Sequence, residues 1–394
     1  MTHTDIPLAV LMLAATASAA QRPERGREVG IPFEGTAGPL NAITDVAGVE
    51  VGHRTLVAGS GKLIVGKGPV RTGVTAIFPR GRDSDDPVFA GWFTMNGNGE
   101  MTGTTWVEES GFLSGPVMIT NTHSVGVVRD AVIEWVVRRG RMLHDEWSLP
   151  VVAETWDGEL NDINGFHVTK QDAWAAMDSA RGGRVAEGSV GGGTGMICNQ
   201  FKGGIGTASR RLDPQDGGYT VGVLVQCNYG RRRYLRIAGV PVGQEISDLV
   251  PCRAPCAGGR SGRAVVPADV GSIIIVVATD APLVPHQLKR VARRAGLGVG
   301  RLGGVASNSS GDIFIAFSTA NARASRDSGL AQVSMVSNEQ ITPLFEATVQ
   351  ATEEAIVNAM LAAQTMTGAD DLTVYGLPHD RLRAVLRKYN RLAP

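Results

Sequence analysis

An apolar run rich in β-branched residues occupies positions 273–278, directly after Gly271 and Ser272. No polar residue interrupts it, so the run predicts a strand that is buried on both faces. The preceding residues 251–270 are rich in Pro, Gly, Ala and Arg, which is typical of an exposed connection. The pattern therefore places a serine hydroxyl at the start of a core strand.

Shorter apolar runs predict further strands, and residues 117–120, 150–153, 219–226 and 313–317 are the clearest of them. Apolar residues at spacings of three and four predict helices over 127–139, 285–296 and 342–367. Gly296 is expected to end the second helix. Short strands with glycine turns therefore alternate with a few long helices.

The Gly271–Ser272 pair has a chemical interpretation. If this bond were cut, Ser272 would become a new N-terminus that carries a hydroxyl and an α-amine on one residue. A free α-amine has a pKa of about 7.7–8.0, so it can share in moving the proton of the adjacent hydroxyl. Gly271 would ease the bend that self-cleavage requires. The alternative interpretation of a Gly-Ser pair before a strand is a simple turn.

Five stretches resemble, in the same order, the self-processing family that contains the L-aminopeptidase/D-esterase and the β-peptidyl aminopeptidases: residues 38–53, 119–126, 227–232, 272–287 and 310–321. The resemblance implies an α+β fold, which is a four-layer α/β/β/α sandwich of the N-terminal-nucleophile type. This sandwich also resembles that of ornithine acetyltransferases. It implies one self-cleavage of the precursor. The large subunit would span 21–271, the small subunit 272–394, and both would form one domain.

The resemblance also assigns site residues. Glu154 matches the acid that receives the substrate amine, Asn228 matches the amide that stabilises the oxyanion, and Ser310 with Asp312 matches a pair beside the nucleophile. Trp156 occupies a position where relatives often carry an aromatic side chain with a hydroxyl group. Tryptophan has no hydroxyl, so it cannot make the hydrogen bond of that group. The β-peptide-cleaving relatives carry glutamate at the position of Asp312, and this difference favours ordinary L-amino-acid substrates.

Several other polar stretches are expected to be structural. Asp157, Glu159 and Asp162 are interpreted as a solvated turn, and residues 231–233 as a solvated basic face or a contact between subunits. His123 is interpreted as a hydrogen-bonded loop residue. Residues 96–100 favour a hairpin turn, and the resemblance leaves open that this loop edges the active site.

The glycine-rich residues 188–195 lack the Lys-Ser/Thr ending of a phosphate-binding loop, so they predict a close backbone approach around a substrate or between subunits. Among the cysteines, Cys198 and Cys227 are expected to be buried thiols. Cys252 and Cys256 could pair if the protein is exported, and no histidines are spaced to complete a zinc site.

The charge composition of the chain indicates which classes of binding partner it attracts. The chain has 38 basic and 38 acidic residues, so no net charge attracts it to nucleic acid or to an anionic membrane. Residues 1–20 contain a short apolar stretch followed by small residues, like a secretory signal, but no Lys or Arg precedes it. A periplasmic and a cytoplasmic location both stay open, and a disordered tail is the alternative.

The sequence therefore predicts a self-cleaving serine aminopeptidase that acts on short peptides, amino-acid amides or esters. Ser272 would be the nucleophile, no metal or organic cofactor is implied, and a homo-oligomer, a tetramer by resemblance, is expected. The alternatives are a β-peptidyl or D-amino-acid-specific aminopeptidase, an acyl transferase like ornithine acetyltransferase, and an uncleaved binding protein.

Overall fold

The computed structural model describes residues 24–253, 271–325 and 329–393. The predicted signal-like segment 1–20, most of the connection 251–270 and Cys256 lie outside the described residues. No helix in the described ranges is long and apolar enough to cross a membrane.

The described residues contain helices α1 Gly26–Val29, α2 Thr104–Ser110, α3 Val125–Arg138, α4 Lys170–Asp178, α5 Val242–Glu245, α6 Pro285–Arg301, α7 Thr342–Ala362 and α8 His379–Lys388. The strands are β1 Glu50–Ala58, β2 Val70–Phe78, β3 Val88–Gly97, β4 Phe112–Leu113, β5 Val117–Thr120, β6 Val151–Glu154, β7 Ile197–Cys198, β8 Phe201–Lys202, β9 Gly204–Arg211, β10 Thr220–Asn228, β11 Cys252–Arg253, β12 Ser272–Thr279, β13 Gly311–Ser318, β14 Met366–Thr367 and β15 Leu372–Val374.

Two large sheets organise the fold. The four-stranded sheet has the order β1-β2-β5-β6, and the six-stranded sheet has the order β4-β3-β13-β12-β10-β9. In the six-stranded sheet, β12 pairs antiparallel with β10 and parallel with β13. The apolar strand β12 therefore lies in the interior of its sheet, with a hydrogen-bonded neighbour on each side.

The apolar side chains of the two sheets form three clusters, which define four layers. The cluster between the sheets contains Ile274 and Val276 of β12 together with Ile119 of β5. Ile273 and Ile275 face the opposite way, into the cluster shared with α6 and α7, and a third cluster joins α3 and α4 to the four-stranded sheet. The order is therefore helix, sheet, sheet, helix, and both faces of β12 are buried as its sequence predicts.

Helix α6 is longer than the sequence pattern indicates. The expected end at Gly296 is wrong, since the helix continues through it to Arg301. A Cβ on Gly298 would lie 2.7 Å from the Thr352 Cβ of α7, and one on Gly296 would lie 2.8 Å from the Met95 sulfur. These glycines permit close packing inside the helix rather than ending it. Helix α7 ends earlier than expected, at Ala362.

The glycine-rich residues 188–195 make the predicted close backbone approach, but within the fold rather than around a ligand. Gly191–Gly193 forms a short 3₁₀ turn between the two sheets. A Cβ on Gly192 would lie 2.2 Å from the Gln226 Oε1 of β10 and 2.8 Å from the Ile119 carbonyl oxygen of β5. The segment therefore packs against a strand of each sheet, and side chains would separate them.

Two expectations about buried groups are wrong. Cys198 and Cys227 are joined in a disulfide, with Cα atoms 5.6 Å apart, rather than being free thiols, because β7 lies beside the end of β10. Arg232 is buried rather than solvated. Its guanidinium donates to four backbone carbonyls, those of Asn199, Gln200, Ile246 and Leu249, which compensates for its removal from water.

Candidate active site

The nucleophile candidate lies in one row of the six-stranded sheet. Ser272 is the first residue of β12, where it pairs with Asn228, the last residue of β10, and with Gly311, the first residue of β13. Three strand ends thus meet in register at one edge of the sheet. The ladder fixes the spacing of this row, so its side chains and backbone groups are placed by the sheet itself.

The serine hydroxyl lies against the start of β13. The Gly311 N–H donates a hydrogen bond to Ser272 Oγ at 3.1 Å. On either side of Gly311, the Ser310 hydroxyl donates to Asp312 Oδ1 at 2.6 Å. The pair therefore lies beside the nucleophile, and the backbone N–H between its two members donates to Ser272 Oγ. All three side chains are buried.

Gly271 packs closely against the end of β10. A Cβ at this position would lie 2.1 Å from the carbonyl oxygen of Asn228 and 2.8 Å from the Tyr229 Cα. Both neighbours are backbone atoms, which cannot move aside as a flexible side chain would. Only glycine therefore fits directly before Ser272 in this backbone arrangement.

The Asn228 amide is held from both ends. Its Oδ1 accepts a hydrogen bond from the Ile197 N–H at 2.7 Å, and its Nδ2 donates to the Trp156 carbonyl at 2.7 Å. An asparagine Nδ2 carries two hydrogens, so one N–H remains for an oxygen that enters beside Ser272. Such a fixed donor next to a nucleophile is the arrangement that stabilises a developing oxyanion.

Glu154 ends β6 of the four-stranded sheet and is buried. Its two oxygens accept hydrogen bonds from the Glu100 N–H, at 3.0 Å, and from the Thr122 hydroxyl. Burial raises the pKa of Glu154, and the charge of Glu100 raises it further, while the two hydrogen bonds and His123 oppose the shift. An ammonium group entering here would meet a carboxylate poorly solvated by water.

A cavity of about 400 Å³ joins Ser272 and Glu154. Its walls come from both sheets and from the loop after β3, and the lining residues are Asn98, Gly99, Glu100, Thr122, Glu154, Trp156, Ser272 and Ser309. The predicted hairpin at residues 96–100 is wrong, because β3 leads into α2 instead of a second antiparallel strand. The loop at 98–100 does line the cavity, the possibility that the resemblance leaves open.

The acids after Glu154 differ from the solvated turn that the sequence favours. Asp157 and Asp162 are buried, so that interpretation is wrong for both, and Glu159 is half-buried. Asp162 Oδ2 accepts from the backbone N–H groups of Gly66 and Gly68. Burial raises the pKa of Asp157 to about 7. Partners from distant parts of the chain cover these carboxyl groups.

Sequence reasoning missed four polar residues near the site: Glu100 and Thr122 around Glu154, the buried Lys202, and Gln226, whose Nε2 donates to the Thr120 carbonyl across the sheets. Lys202 carried the clearest signal, since it stands between Phe201 and two glycines in an apolar region. By contrast, His123 lies exposed, its ring stacked on Phe166 with centroids 6.0 Å apart.

Comparison with known proteins identifies relatives over almost the whole chain. A β-peptidyl aminopeptidase BapA from Sphingosinicella microcystinivorans is 56% identical over 385 residues, covering 97% of this chain and 96% of the relative. A second BapA, from Sphingosinicella xenopeptidilytica, is 50% identical over 385 residues, covering 96% of this chain and 94% of the relative.

Solved structures agree. The L-aminopeptidase D-Ala-esterase/amidase from Ochrobactrum anthropi, described as a variant of the N-terminal-nucleophile hydrolase fold, matches with a TM-score of 0.84 at 50% identity, covering 94% of this chain and 99% of its own. A β-aminopeptidase from Burkholderia sp. matches with a TM-score of 0.82 at 47% identity, covering 93% and 99%. The profile of peptidase family S58 matches residues 41–374. The chain therefore belongs to peptidase family S58 and is an aminopeptidase with the N-terminal-nucleophile hydrolase fold.

Proposed function

We propose that the chain cleaves itself between Gly271 and Ser272, and that the new N-terminal serine then releases N-terminal residues from short peptides and amino-acid amides. The observation that carries this proposal is the shared cavity of Ser272 and Glu154. A substrate held by its ammonium group on Glu154 can present its first carbonyl carbon to a nucleophile on the opposite wall. This cleavage sets the boundary between the proposed large-subunit region 21–271 and the small-subunit region 272–394.

The chemistry needs only groups of the protein and water. The Ser272 oxygen attacks the carbonyl carbon while its proton passes to the α-amine of Ser272, whose pKa is normally about 7.7–8.0. The carbonyl oxygen becomes an oxyanion that the free Asn228 N–H stabilises. The proton then passes to the leaving amine as the C–N bond breaks. Water hydrolyses the acyl-enzyme and restores the serine.

Ser310 and Asp312 orient this proton transfer. Their hydrogen bond of 2.6 Å brackets the Gly311 N–H that donates to Ser272 Oγ. The negative charge of the Asp312 carboxylate favours the protonated form of the Ser272 α-amine, once that amine has accepted the proton of the Ser272 hydroxyl. The pair thus supports the state that follows nucleophilic attack.

The first substrate class that we propose is peptides with an N-terminal β-amino acid. Two relatives that are 56% and 50% identical over 385 residues are β-peptidyl aminopeptidases. The second candidate is L-α-amino acids, which the shorter acid Asp312 favours and which agrees with the name of the Ochrobactrum enzyme, matched at 50% identity. In both cases the amine binds Glu154, and the classes differ by one methylene between that amine and the reacting carbonyl.

A panel of p-nitroanilides made from L-α-, D-α- and β-amino acids tests this order. We expect the highest kcat/KM for β-residues, measurable activity for L-residues and less for D-residues. Higher kcat/KM for the L-α than for the β compounds would overturn the first substrate class. Addition of a free amino acid as acceptor, followed by product analysis, distinguishes hydrolysis from acyl transfer.

Denaturing gel electrophoresis with intact-mass analysis tests self-cleavage. Wild-type protein is expected to give two bands, whose masses correspond to a cut between Gly271 and Ser272. Ser272→Ala is expected to give one uncut band and to have no aminopeptidase activity. An active wild-type preparation whose Gly271–Ser272 bond is intact would refute the mechanism. An inactive, uncut wild-type chain that still folds would support the alternative of a binding protein.

We further propose a periplasmic location. The Cys198–Cys227 disulfide supports it, since disulfides persist mainly in oxidising compartments. Quantifying thiols in denatured protein under non-reducing conditions tests the bond, and cell fractionation tests the location. Assembly into a homo-oligomer, with a tetramer as the expected size, stays a prediction that light scattering can measure.

A further inference from the structure

A fully buried lysine lies behind the oxyanion position. The Nζ of Lys202 donates to the carbonyl oxygens of Met196, at 2.7 Å, and Gly203, at 2.8 Å. No ion pair to Lys202 occurs among residues 24–253, 271–325 and 329–393. Burial lowers the pKa of its ammonium group to about 7, against the nearby charge of Asp157. A lysine is expensive to bury without a carboxylate partner, so its position calls for a reason.

The peptide unit between Met196 and Ile197 connects this lysine to the site. Its carbonyl accepts from Lys202, and its N–H donates to Asn228 Oδ1 at 2.7 Å. A donor on the carbonyl end of a peptide polarises the unit and makes its N–H a stronger donor. Lys202 therefore acts on the contact that fixes which end of the Asn228 amide points to Ile197 and which to Trp156.

The same loop is attached to β10 on both sides of Asn228. The Cys198–Cys227 disulfide joins the loop to the residue before Asn228. The Asn199 N–H donates at 2.6 Å to the carbonyl of Tyr229, the residue after Asn228. These two contacts fix the loop relative to the strand end. The Met196 carbonyl also accepts from the Gly203 N–H at 2.9 Å, so backbone contacts hold the Met196–Ile197 peptide in place, and Lys202 adds the cationic side-chain donor that polarises it.

We propose that Lys202 is a positioning residue of the aminopeptidase reaction: through the Met196–Ile197 peptide it holds the Asn228 amide with one N–H directed at the substrate oxyanion. This inference rests on the proposed role of Asn228. Lys202 does not touch substrate. Its contribution appears only in the transition state, when the substrate oxygen gains charge, so it belongs to kcat rather than to KM.

The experiment is a double-mutant cycle on the mature, two-subunit enzyme, with kcat expressed per cleaved chain. Asn228→Ala is expected to lower kcat by about 10²–10³-fold. Lys202→Met, which keeps the length and removes the donors, is expected to lower kcat about tenfold or more, and to change KM by less than about twofold. In the Asn228→Ala background, Lys202→Met is expected to have less than about a twofold further effect.

Two further variants keep the result interpretable. Arg71→Met is the matched control, because Arg71 is another buried cation whose guanidinium, within the part of the chain that the structure describes, donates only to backbone carbonyls, those of Ala58, Gly59, Val70 and Thr367. It is expected to lower the melting temperature while kcat stays unchanged. Lys202→Gln retains N–H donors on a shorter side chain and should give an intermediate kcat, and it replaces Lys202→Met in the cycle if the latter does not fold.

The outcomes separate the two proposals. Full kcat in Asn228→Ala would refute the oxyanion role of Asn228 and, with it, the proposed function of the row. An impaired Asn228→Ala together with an unchanged Lys202→Met, or with Lys202 and Asn228 effects that multiply, would overturn the inference about Lys202 alone.

Discussion

On the six-stranded sheet the site residues lie in one register row across three strands, whereas on the four-stranded sheet Glu154 ends β6 and loops hold its carboxylate. Asn228, Ser272 and Gly311 are paired by ladder hydrogen bonds across three strands. Glu154, by contrast, depends on the Thr122 hydroxyl and the Glu100 N–H from two separate loops. The backbone of the reacting row is thus fixed across three strands of one sheet, whereas the carboxylate that recognises the amine is oriented by loops.

The comparison predicts different kinetic consequences on the two sheets. Bond-making geometry tolerates displacements of well under an ångström, so changes in the register row should lower kcat or stop self-cleavage. The amine-binding group contributes to holding the ground state as well as the transition state, and its loss should therefore appear in KM. A substitution in the register row that acts mainly on KM, or a substitution of the amine-binding group that acts mainly on kcat, would contradict this assignment.

The largest effect is expected from Gly271→Ala. The added Cβ would lie 2.1 Å from the Asn228 carbonyl oxygen, so the scissile bond must move relative to the row. We expect self-cleavage to slow by about 10²-fold or more, as followed by denaturing gels over time. Gly300→Ala is the control, because a Cβ there meets nothing within 4 Å. Wild-type cleavage by Gly271→Ala would show that the strand start is not held rigidly.

Asp312→Asn should be next in size. It removes the charge that supports the protonated α-amine of Ser272 but keeps an acceptor for the Ser310 hydroxyl, so kcat is expected to fall about 10²-fold with KM nearly unchanged. Asp280→Asn is the matched control, since Asp280 follows the opposite end of β12 and accepts from the Thr220 N–H. A loss confined to KM would place Asp312 in substrate binding instead.

On the four-stranded sheet, Glu154→Gln should lower kcat/KM for substrates with a free amine by about 30-fold, which corresponds to about 2 kcal/mol for losing one partner of a buried charge pair. Most of this loss should be an increase in KM. The same substrates with an acetylated amine serve as the control, because their slow turnover does not use the carboxylate. An equal loss for both substrate sets would refute the amine-binding role.

The two regions also differ in how far the sequence reveals them. The unbroken apolar run after Ser272 is a local signal, and it predicts the doubly buried strand β12 correctly. The resemblance supplies Glu154 and Asn228, but not what holds them. Thr122 and Glu100 reach Glu154 only because the fold brings together loops that are far apart in the chain.

Burial of charged groups was the least predictable property. Asp162 lies in a polar stretch that is typical of a solvated turn, yet the backbone N–H groups of Gly66 and Gly68, almost a hundred residues earlier, cover its carboxylate. Similarly, Gly296 is expected to end α6 on local grounds, whereas packing against Met95 explains why a glycine stands inside the helix. In both cases a distant contact overrides the local preference.

The smallest effect is expected in the pH profile. Glu154 must be ionised to bind an ammonium group, and burial followed by the Glu100 charge raises its pKa. Two ionisations limit the acid side of kcat/KM, which reports groups of the free enzyme: the Ser272 α-amine must be neutral to accept a proton, and Glu154 must be ionised. The limb set by Glu154 should lie above the ordinary glutamate range, and activity should fall further as the pH drops through the raised pKa. Glu100→Gln removes one raising charge, so the limb should move to lower pH by less than about one unit.

Glu108→Gln is the matched control for this shift, because Glu108 pairs with Lys289 on the surface and does not line the cavity. Its acid limb should coincide with that of the wild type. A limb that stays in place in Glu100→Gln would mean that burial alone sets the Glu154 pKa. A limb that moves to higher pH would contradict the proposed sign, and would imply that the Glu100 side chain supports the ionised form of Glu154 through the loop that donates its backbone N–H.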